Sequence, residues 1–150
     1  MKIILDTSVI IAFLLSRGKN NLTEIVKLAK QKKINLIVCK ETFSELQTSL
    51  HAEKIKKLAN YKSNVIAKFI AWYKYNASFM PSNLTAISKL SRDLKDNIFI
   101  QLVLLSNANY LVTSDKDLLV LKNIGKTKIR TPKDFIKENK LLTFTPKQWI

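Results

Sequence analysis

Short apolar segments that alternate with longer segments of helical periodicity place the strongest constraint on how this chain folds. Apart from Asn35, residues 34–39 are apolar and rich in β-branched side chains, a pattern typical of a strand buried on both faces of a parallel sheet. Residues 2–5 and 110–113 form two more short apolar segments. Parallel strands need crossover connections, which are usually helical, so the alternation predicts an α/β fold with a parallel sheet and helices on both faces.

The helical segments are predicted from apolar residues at helical spacing. They are 7–15, a segment from Asn20 or Asn21 to about 33, 41–50, one or two helices in 52–75, 93–107 and 116–121. The segment 93–107 is apolar nearly all round between 98 and 105, so we expect it to be central. Thr131 and Pro132 predict the cap and the first residue of a last helix. Residues 78–80 and 128–130 are predicted to be short strands.

The length of 150 residues and the hydrophobic content of 47% predict one compact domain, 1–150, with residues 140–150 as a C-terminal tail. The single cysteine, Cys39, cannot form an intramolecular disulfide and indicates a reduced thiol in a reducing compartment. The longest apolar run is 9–15, far short of the ~20 residues that span a bilayer. Asp6 also interrupts the apolar N-terminus that a signal peptide needs. We therefore expect a cytoplasmic protein with no membrane association.

The charge balance favours a polyanionic partner. The chain has 26 Lys and Arg residues against 11 Asp and Glu residues, a net charge of +15, and the basic residues are spread over its whole length. Lysines that neutralise phosphates release condensed counterions, which favours nucleic-acid binding. A lysine-rich composition that only keeps the protein soluble is the alternative.

The acidic residues are concentrated where predicted strands end and helices begin. Six of the 11 lie there, namely Asp6, Glu45, Asp93, Asp96, Asp115 and Asp117. Asp6 and Asp115 each follow a predicted strand, so both emerge at the sheet edge where ligands of α/β proteins bind. Each residue alone has a structural alternative: Asp6 and Asp115 are candidate helix N-caps. Asp93 and Asp96 suit the first turn of a helix, and Glu45 suits a solvated helix face.

As a set, these acids indicate a metal site. Several carboxylates beside interior elements repel one another unless a cation compensates. Oxygen ligands without His or Cys indicate Mg²⁺ or Mn²⁺. His51 is the only histidine, which argues against a zinc site and a His-based triad. The chain also lacks a Gly-x-x-x-x-Gly-Lys phosphate loop, the acid pattern of a receiver domain and the second Asp of an aspartyl-phosphate phosphatase.

Four segments in this order resemble the PIN domain, and most closely the prokaryotic PIN proteins that are toxins of toxin–antitoxin pairs. They are Ile4-Leu5-Asp6-Thr7-Ser8-Val9, Phe43-Ser44-Glu45-Leu46, Arg92-Asp93-Leu94-Lys95-Asp96-Asn97 and Leu111-Val112-Thr113-Ser114-Asp115-Lys116-Asp117-Leu118. A Thr-Pro-x-x-Phe segment at 131–135 extends the resemblance, whereas residues 52–90 contribute little. Ser114 departs from the family pattern, because glycine is frequent at that position.

The resemblance implies a three-layer α/β/α sandwich and metal-dependent endoribonuclease activity. By position, Asp6, Glu45, Asp96 and Asp115 are the catalytic, metal-holding acids, which take Mg²⁺ or Mn²⁺. Asp93 and Asp117 are secondary acids, and Thr7 and Thr113 are hydroxyl positions that orient a carboxylate or a water. We expect Lys89, Lys95 and Lys116 to bind the phosphates of the RNA substrate.

The resemblance also implies partners and leaves two alternatives open. A small antitoxin protein that inserts a basic side chain into the acidic site, and a homodimer, are family expectations. One alternative is a catalytically inactive RNA-binding or adaptor protein that keeps the fold. The other is an RNA-processing PIN nuclease without an antitoxin.

Overall fold

A computed structural model describes residues 1–16, 20–52, 63–81 and 98–143 of the chain. The strands are β1 (Lys2–Leu5), β2 (Asn35–Val38), β3 (Ser78–Phe79), β4 (Tyr110–Val112), β5 (Asn123–Ile124) and β6 (Thr127–Arg130). The helices are α1 (Thr7–Leu15), α2 (Leu22–Lys30), α3 (Lys40–His51), α4 (Ser63–Asn76), α5 (Ile98–Ser106), α6 (Lys116–Leu119), α7 (Pro132–Glu138) and α8 (Lys140–Thr143).

The strands form one six-stranded sheet in the order β3-β2-β1-β4-β6-β5. All neighbouring pairs are parallel except β5 and β6, which form an antiparallel hairpin. β1 lies in the centre, where Ile3 pairs with Leu36 on one side and with Tyr110 on the other. Chain segments that are far apart in sequence therefore meet at the two ends of β1.

Alternate residues of the strands face opposite sides of the sheet. Ile3 and Leu5 pack into a core with α1, α2, α3, α4 and α7, whereas Ile4 packs into a second core with α5 and α6. The same alternation divides β4, where Tyr110 and Val112 belong to the first core and Leu111 to the second. The sheet is thus buried on both faces between two helical layers, which confirms the predicted three-layer α/β/α fold with a mostly parallel sheet.

Most predicted elements are confirmed within one to three residues at those ends that the structure describes, whereas residues 53–62 and 93–97 of the predicted helical segments lie outside the described residues. The predicted caps are present as well, since Asn20 Oδ1 accepts a 3.0 Å hydrogen bond from the Leu22 N–H, and Thr131 Oγ1 accepts one of 3.1 Å from the Asp134 N–H. Strand β5 was not predicted. The first four residues of the C-terminal segment 140–150 form the short helix α8, and Leu142 packs against the core.

A polar cluster ties β4, β6 and α7 together. Glu138 accepts a 2.6 Å hydrogen bond from Arg130 Nε and one of 2.9 Å from the Tyr110 hydroxyl. Burial opposes ionisation of Glu138, but the hydrogen bonds from Arg130 and Tyr110 outweigh it and lower the pKa of its carboxyl group. The ring of Tyr110 also meets Phe135 edge-on, with centroids 4.8 Å apart, so α7 is fixed against the sheet.

No helix in the described parts of the chain is long and apolar enough to cross a membrane.

Candidate functional site

The carboxyl ends of β1 and β4 bring Asp6 and Thr113 together. Asp6 directly follows β1, its N–H donates a 2.9 Å hydrogen bond to the Val112 carbonyl, and its side chain is only 8% exposed. Thr113 directly follows β4 and is fully buried. Its hydroxyl donates a 2.6 Å hydrogen bond to Asp6 Oδ2. A residue 107 positions further along the chain, Thr113, therefore orients the Asp6 carboxylate.

Asp6 occupies the N-cap position of α1, but its side chain makes no capping hydrogen bond. The carboxylate instead accepts a second hydroxyl hydrogen bond, of 3.1 Å, from Ser8. Both side-chain hydrogen bonds that it accepts from described residues end on Oδ2. The capping alternative is therefore wrong for the Asp6 side chain, and no described side chain donates to Oδ1.

A second hydroxyl–carboxylate pair connects α1 to α3. Thr7, the first residue of α1, is buried, and its hydroxyl donates a 2.9 Å hydrogen bond to Oε2 of Glu45. Glu45 itself is exposed to solvent. The bond places the Glu45 carboxylate beside the end of β1. Asp6 directly precedes Thr7 in the chain, so Asp6 and Glu45 lie in the same region of the protein. We define the carboxyl edge by Asp6, Thr7, Glu45, Thr113 and Asp115.

Asp115 is the last residue of the carboxyl edge in chain order. Its Oδ1 accepts a 2.9 Å hydrogen bond from the Asp117 N–H, so Asp115 is a genuine N-cap of α6 and the capping alternative holds for it. Its own N–H donates a 3.0 Å hydrogen bond to the Thr113 hydroxyl. Capping uses one carboxylate oxygen only. Asp115, Lys116 and Asp117 are all exposed.

A pair of serines, to which the sequence had given no role, adds to the site. Ser114 and Ser8 have their hydroxyl oxygens 3.1 Å apart, and Ser8 in turn donates to Asp6. The two serines thereby link the loop after β4 to the first turn of α1. A hydroxyl two positions after an acid at a strand end is the only sequence signal for Ser8, and Ser114 carries none.

The remaining predicted site residues, Asp93, Asp96, Lys89 and Lys95, lie outside the described residues. Within the described ranges, no three His, Cys, Asp or Glu residues stand close enough to hold a metal ion. The donors that are present suit a hard cation: Asp6 offers Oδ1, and Glu45 and Asp115 add exposed carboxylate oxygens. Asp6, Glu45 and Asp115 therefore match Mg²⁺ or Mn²⁺ in the type of donor atom, but these three described residues do not by themselves form a metal site.

Comparison with known proteins gives one match. A family model described as PIN domain matches residues 2–117, more than two thirds of the chain. The matched segment contains all the acids of the carboxyl edge. Searches of curated proteins and of solved structures returned no match.

Proposed function

Because the chain belongs to the PIN domain family, whose members are generally nucleases that use divalent metal ions, we propose that it is a metal-dependent endoribonuclease. The reaction is hydrolysis of an RNA phosphodiester bond. The site acids are Asp6, Glu45, Asp96 and Asp115, with Asp93 and Asp117 in secondary roles.

The observation that carries this proposal is the placement of Asp6. Asp6 is a buried residue, 8% exposed, at a strand end, and the hydroxyls of Ser8 and Thr113 hold its carboxylate in one orientation. A helix N-cap needs no such arrangement, and the side chain makes no cap. Hydroxyls that fix a carboxylate are, however, typical of the outer shell of metal ligands.

Each residue of the carboxyl edge has a part in the proposed site. Asp6, Glu45 and Asp115 would hold the metal ion, and the Thr7 hydroxyl fixes the orientation of the Glu45 carboxylate. Mg²⁺ or Mn²⁺, when bound, would lower the pKa of a water and stabilise the leaving oxygen of an in-line displacement. Thr113 fixes both Asp6 and the backbone of Asp115, so the two acids keep one geometry.

Lysines supply the contacts to the substrate. Lys116 is exposed and lies between Asp115 and Asp117, where it can bind a phosphate next to the cleaved bond. Lys89 and Lys95 have the same proposed role. These lysines offset the repulsion between the RNA backbone and the acids. The net charge of +15 on the chain contributes to the same effect.

The cellular role that we propose is that of the toxin in a toxin–antitoxin pair, acting in the cytoplasm as a homodimer. A small antitoxin protein would inhibit it by inserting a basic side chain among the acids. The support is the resemblance of the four sequence segments. A coding sequence for a small protein directly beside that of this chain would support the pair, and its absence would favour an RNA-processing nuclease.

The decisive experiment is cleavage of labelled total RNA and of a tRNA pool with Mg²⁺, with Mn²⁺ and with EDTA. Asp6→Asn is the test variant, and Asp134→Asn is the matched control because Asp134 is an exposed acid in the first turn of α7. We expect metal-dependent cleavage that falls by at least about 100-fold in Asp6→Asn and is unchanged in the control. Salt-sensitive RNA binding without cleavage under any metal would instead favour the inactive RNA-binding alternative.

A further inference from the structure

The end of the sheet opposite the carboxyl edge is basic. We define the amino edge by the segments at the beginnings of the parallel strands, which are 1–2, 31–35, 107–109 and 125–128. Hydrogen bonds join them side by side, because the Asn35 N–H donates to the Met1 carbonyl over 2.8 Å, the Asn109 N–H to Lys2 over 2.9 Å and the Lys128 N–H to Asn109 over 3.0 Å. These segments contain five lysines and no acid, namely Lys2, Lys32, Lys33, Lys126 and Lys128.

An open depression lies at one end of this surface. It has a volume of about 330 Å³, and its polar lining comes from Met1, Lys32, Lys33, Asn35 and Asn76. The side chains in the depression are cationic, amide or apolar, so its chemistry suits an anion with several acceptor oxygens. A phosphate group is such an anion.

Only part of this positive charge is explained by lysines that stabilise the negative C-terminal ends of helices. Lys27 and Lys30 already lie in the last turn of α2, where cations are favoured. Lys2 also serves a helix end, because its ammonium donates a 3.4 Å hydrogen bond to the carbonyl of Ser106, the last residue of α5. Lys128 lies within β6, with its ammonium 5.8 Å from the centroid of the Tyr110 ring, and Lys126 lies in the turn between β5 and β6. Neither Lys126 nor Lys128 follows a helix end, so their charges are not explained by helix C-termini.

Lys32 provides an independent observation. Its φ angle is 59°, a left-handed conformation that favours glycine and costs free energy for a lysine. Helices commonly end with glycine at such a position. A lysine kept there places a positive charge at the depression at the expense of stability, which suggests a use for the charge.

We propose that the amino edge is a second RNA-binding surface, on which Lys2, Lys32, Lys126 and Lys128 hold the phosphate backbone away from the acids. This inference rests on the proposed function, because it assigns the surface to the same RNA substrate. β1 has four residues, so the two edges lie on the order of 15 Å apart. A short RNA in the metal site cannot reach the amino edge, whereas a longer or folded RNA can.

This arrangement separates the lysines that attract the RNA from the acids that cleave it. Carboxylates at the carboxyl edge repel the phosphates that they must act on, and the lysines proposed beside them offset only part of this repulsion. Lysines at the opposite edge attract the RNA without neutralising the metal ligands. The field of the amino edge thus raises substrate affinity while the acids remain available.

The first test is RNA binding in an Asp6→Asn background, where the RNA stays intact. The amino-edge variant is Lys32→Gly with Lys126→Gln, and the matched control is Lys68→Gln with Lys133→Gln, two exposed lysines elsewhere with the same loss of charge. The probe is a fluorescent RNA of about 30 nucleotides, titrated at several salt concentrations. We expect the amino-edge variant to weaken Kd on the order of 10-fold and to reduce the salt slope by roughly 1.5, and the control to leave the slope unchanged.

Three results would overturn the inference. They are equal losses in the two variants, no loss in either, or tighter binding of polyglutamate than of RNA at the amino edge. Misfolding does not explain a loss in Lys32→Gly, because glycine relieves the left-handed conformation and is expected to raise Tm.

The second test uses the active enzyme and separates this inference from the proposed function. With Asp6 intact, the amino-edge variant should raise KM for the long RNA on the order of 10-fold, with kcat unchanged and with no effect on an RNA of about four nucleotides. Cleavage that is equally affected for both RNAs contradicts the inference alone. Absence of cleavage in every variant, with the binding difference retained, contradicts the nuclease proposal and leaves the RNA-binding surface supported.

Discussion

Thr113 and Asp6 follow neighbouring parallel strands, and the Thr113 hydroxyl donates to the Asp6 carboxylate over 2.6 Å. The same hydroxyl accepts a hydrogen bond from the Asp115 N–H over 3.0 Å. One buried side chain therefore sets the positions of two acids that the sequence separates by more than 100 residues.

Thr113→Val should impair both metal binding and stability. Valine has a similar shape but leaves the part-buried Asp115 N–H without its acceptor, which should cost about 1 kcal/mol of unfolding free energy. Loss of the hydroxyl that orients Asp6 should weaken Mn²⁺ binding by roughly 10- to 100-fold. Urea unfolding and Mn²⁺ titration by electron paramagnetic resonance measure the two effects. Thr113→Ser is the control that should restore Mn²⁺ binding, and unchanged Mn²⁺ affinity in Thr113→Val would contradict the assigned role.

Thr7 should act on the reaction only through Glu45. Thr7→Val removes the 2.9 Å hydrogen bond to Oε2 and leaves the Glu45 carboxylate without its orienting donor, so we expect cleavage to fall by about 10-fold. Glu45→Gln should cause a larger loss. Rates of RNA cleavage in a double-mutant cycle test the coupling, because the double variant should be no slower than Glu45→Gln alone. Additive losses would show that the two residues act separately.

The serine pair should tune the affinity for the metal ion. Ser8→Ala removes one of the two hydroxyls on Asp6 Oδ2, and we expect Mn²⁺ affinity to fall by about 10-fold. Ser114→Gly should have a smaller effect in the same direction, since Ser114 reaches Asp6 only through Ser8. Calorimetric titration with Mn²⁺ compares the variants, and Ser44→Ala, an exposed serine of α3, is the control. A larger effect of Ser114→Gly than of Ser8→Ala would rule out this order of contacts.

Glu138 should make the stability depend on pH in the acidic range. Its pKa is lowered from the usual 4.5 in the folded protein, so the unfolded chain binds more protons and stability falls as pH falls through the folded pKa. Because the side chain is 34% exposed, the contribution should be under about 1 kcal/mol. Urea unfolding of the wild type and of Glu138→Gln should differ most near neutral pH and converge below about pH 4. A difference that grows toward acid would contradict the predicted sign.

The central parts of the fold could be predicted because their sequences are unambiguous. Residues 34–39 are apolar on both faces apart from Asn35, which lies at the exposed start of β2, so a parallel strand between two layers is the favoured position for them, and β2 lies there. Strand β5 escaped prediction for a physical reason. Asn123 and Ile124 are too few to show an alternating pattern, and they form a strand only because they pair with β6 around Gly125, whose φ is 57°.

The placement of Asp6 and Asp115 at one edge of the sheet was predictable, but their contacts were predictable only in part. Strand ends in a parallel sheet meet at one edge, which is why Asp6 and Asp115 could be placed together. Whether each carboxylate caps its helix depends on its side-chain rotamer, which cannot be inferred from the sequence pattern. The Asp115 side chain caps α6, whereas the Asp6 side chain does not cap α1. The contact between Ser8 and Ser114 depends on the distance between two loops. The parts assigned to Asp93 and Asp96 stay predictions.

The shortness of the outermost strands bears on how copies of this protein meet. β3 and β5 have two residues each, and Pro81 follows β3 closely. Such short edge strands give an incoming strand little backbone to pair with, so they disfavour edge-to-edge association of sheets into fibrils. For the described part of the chain, self-association by joining sheets is therefore disfavoured, and a dimer would have to form through side chains on the helical layers. We therefore do not expect high concentrations of the protein to cause association through the edge strands β3 and β5.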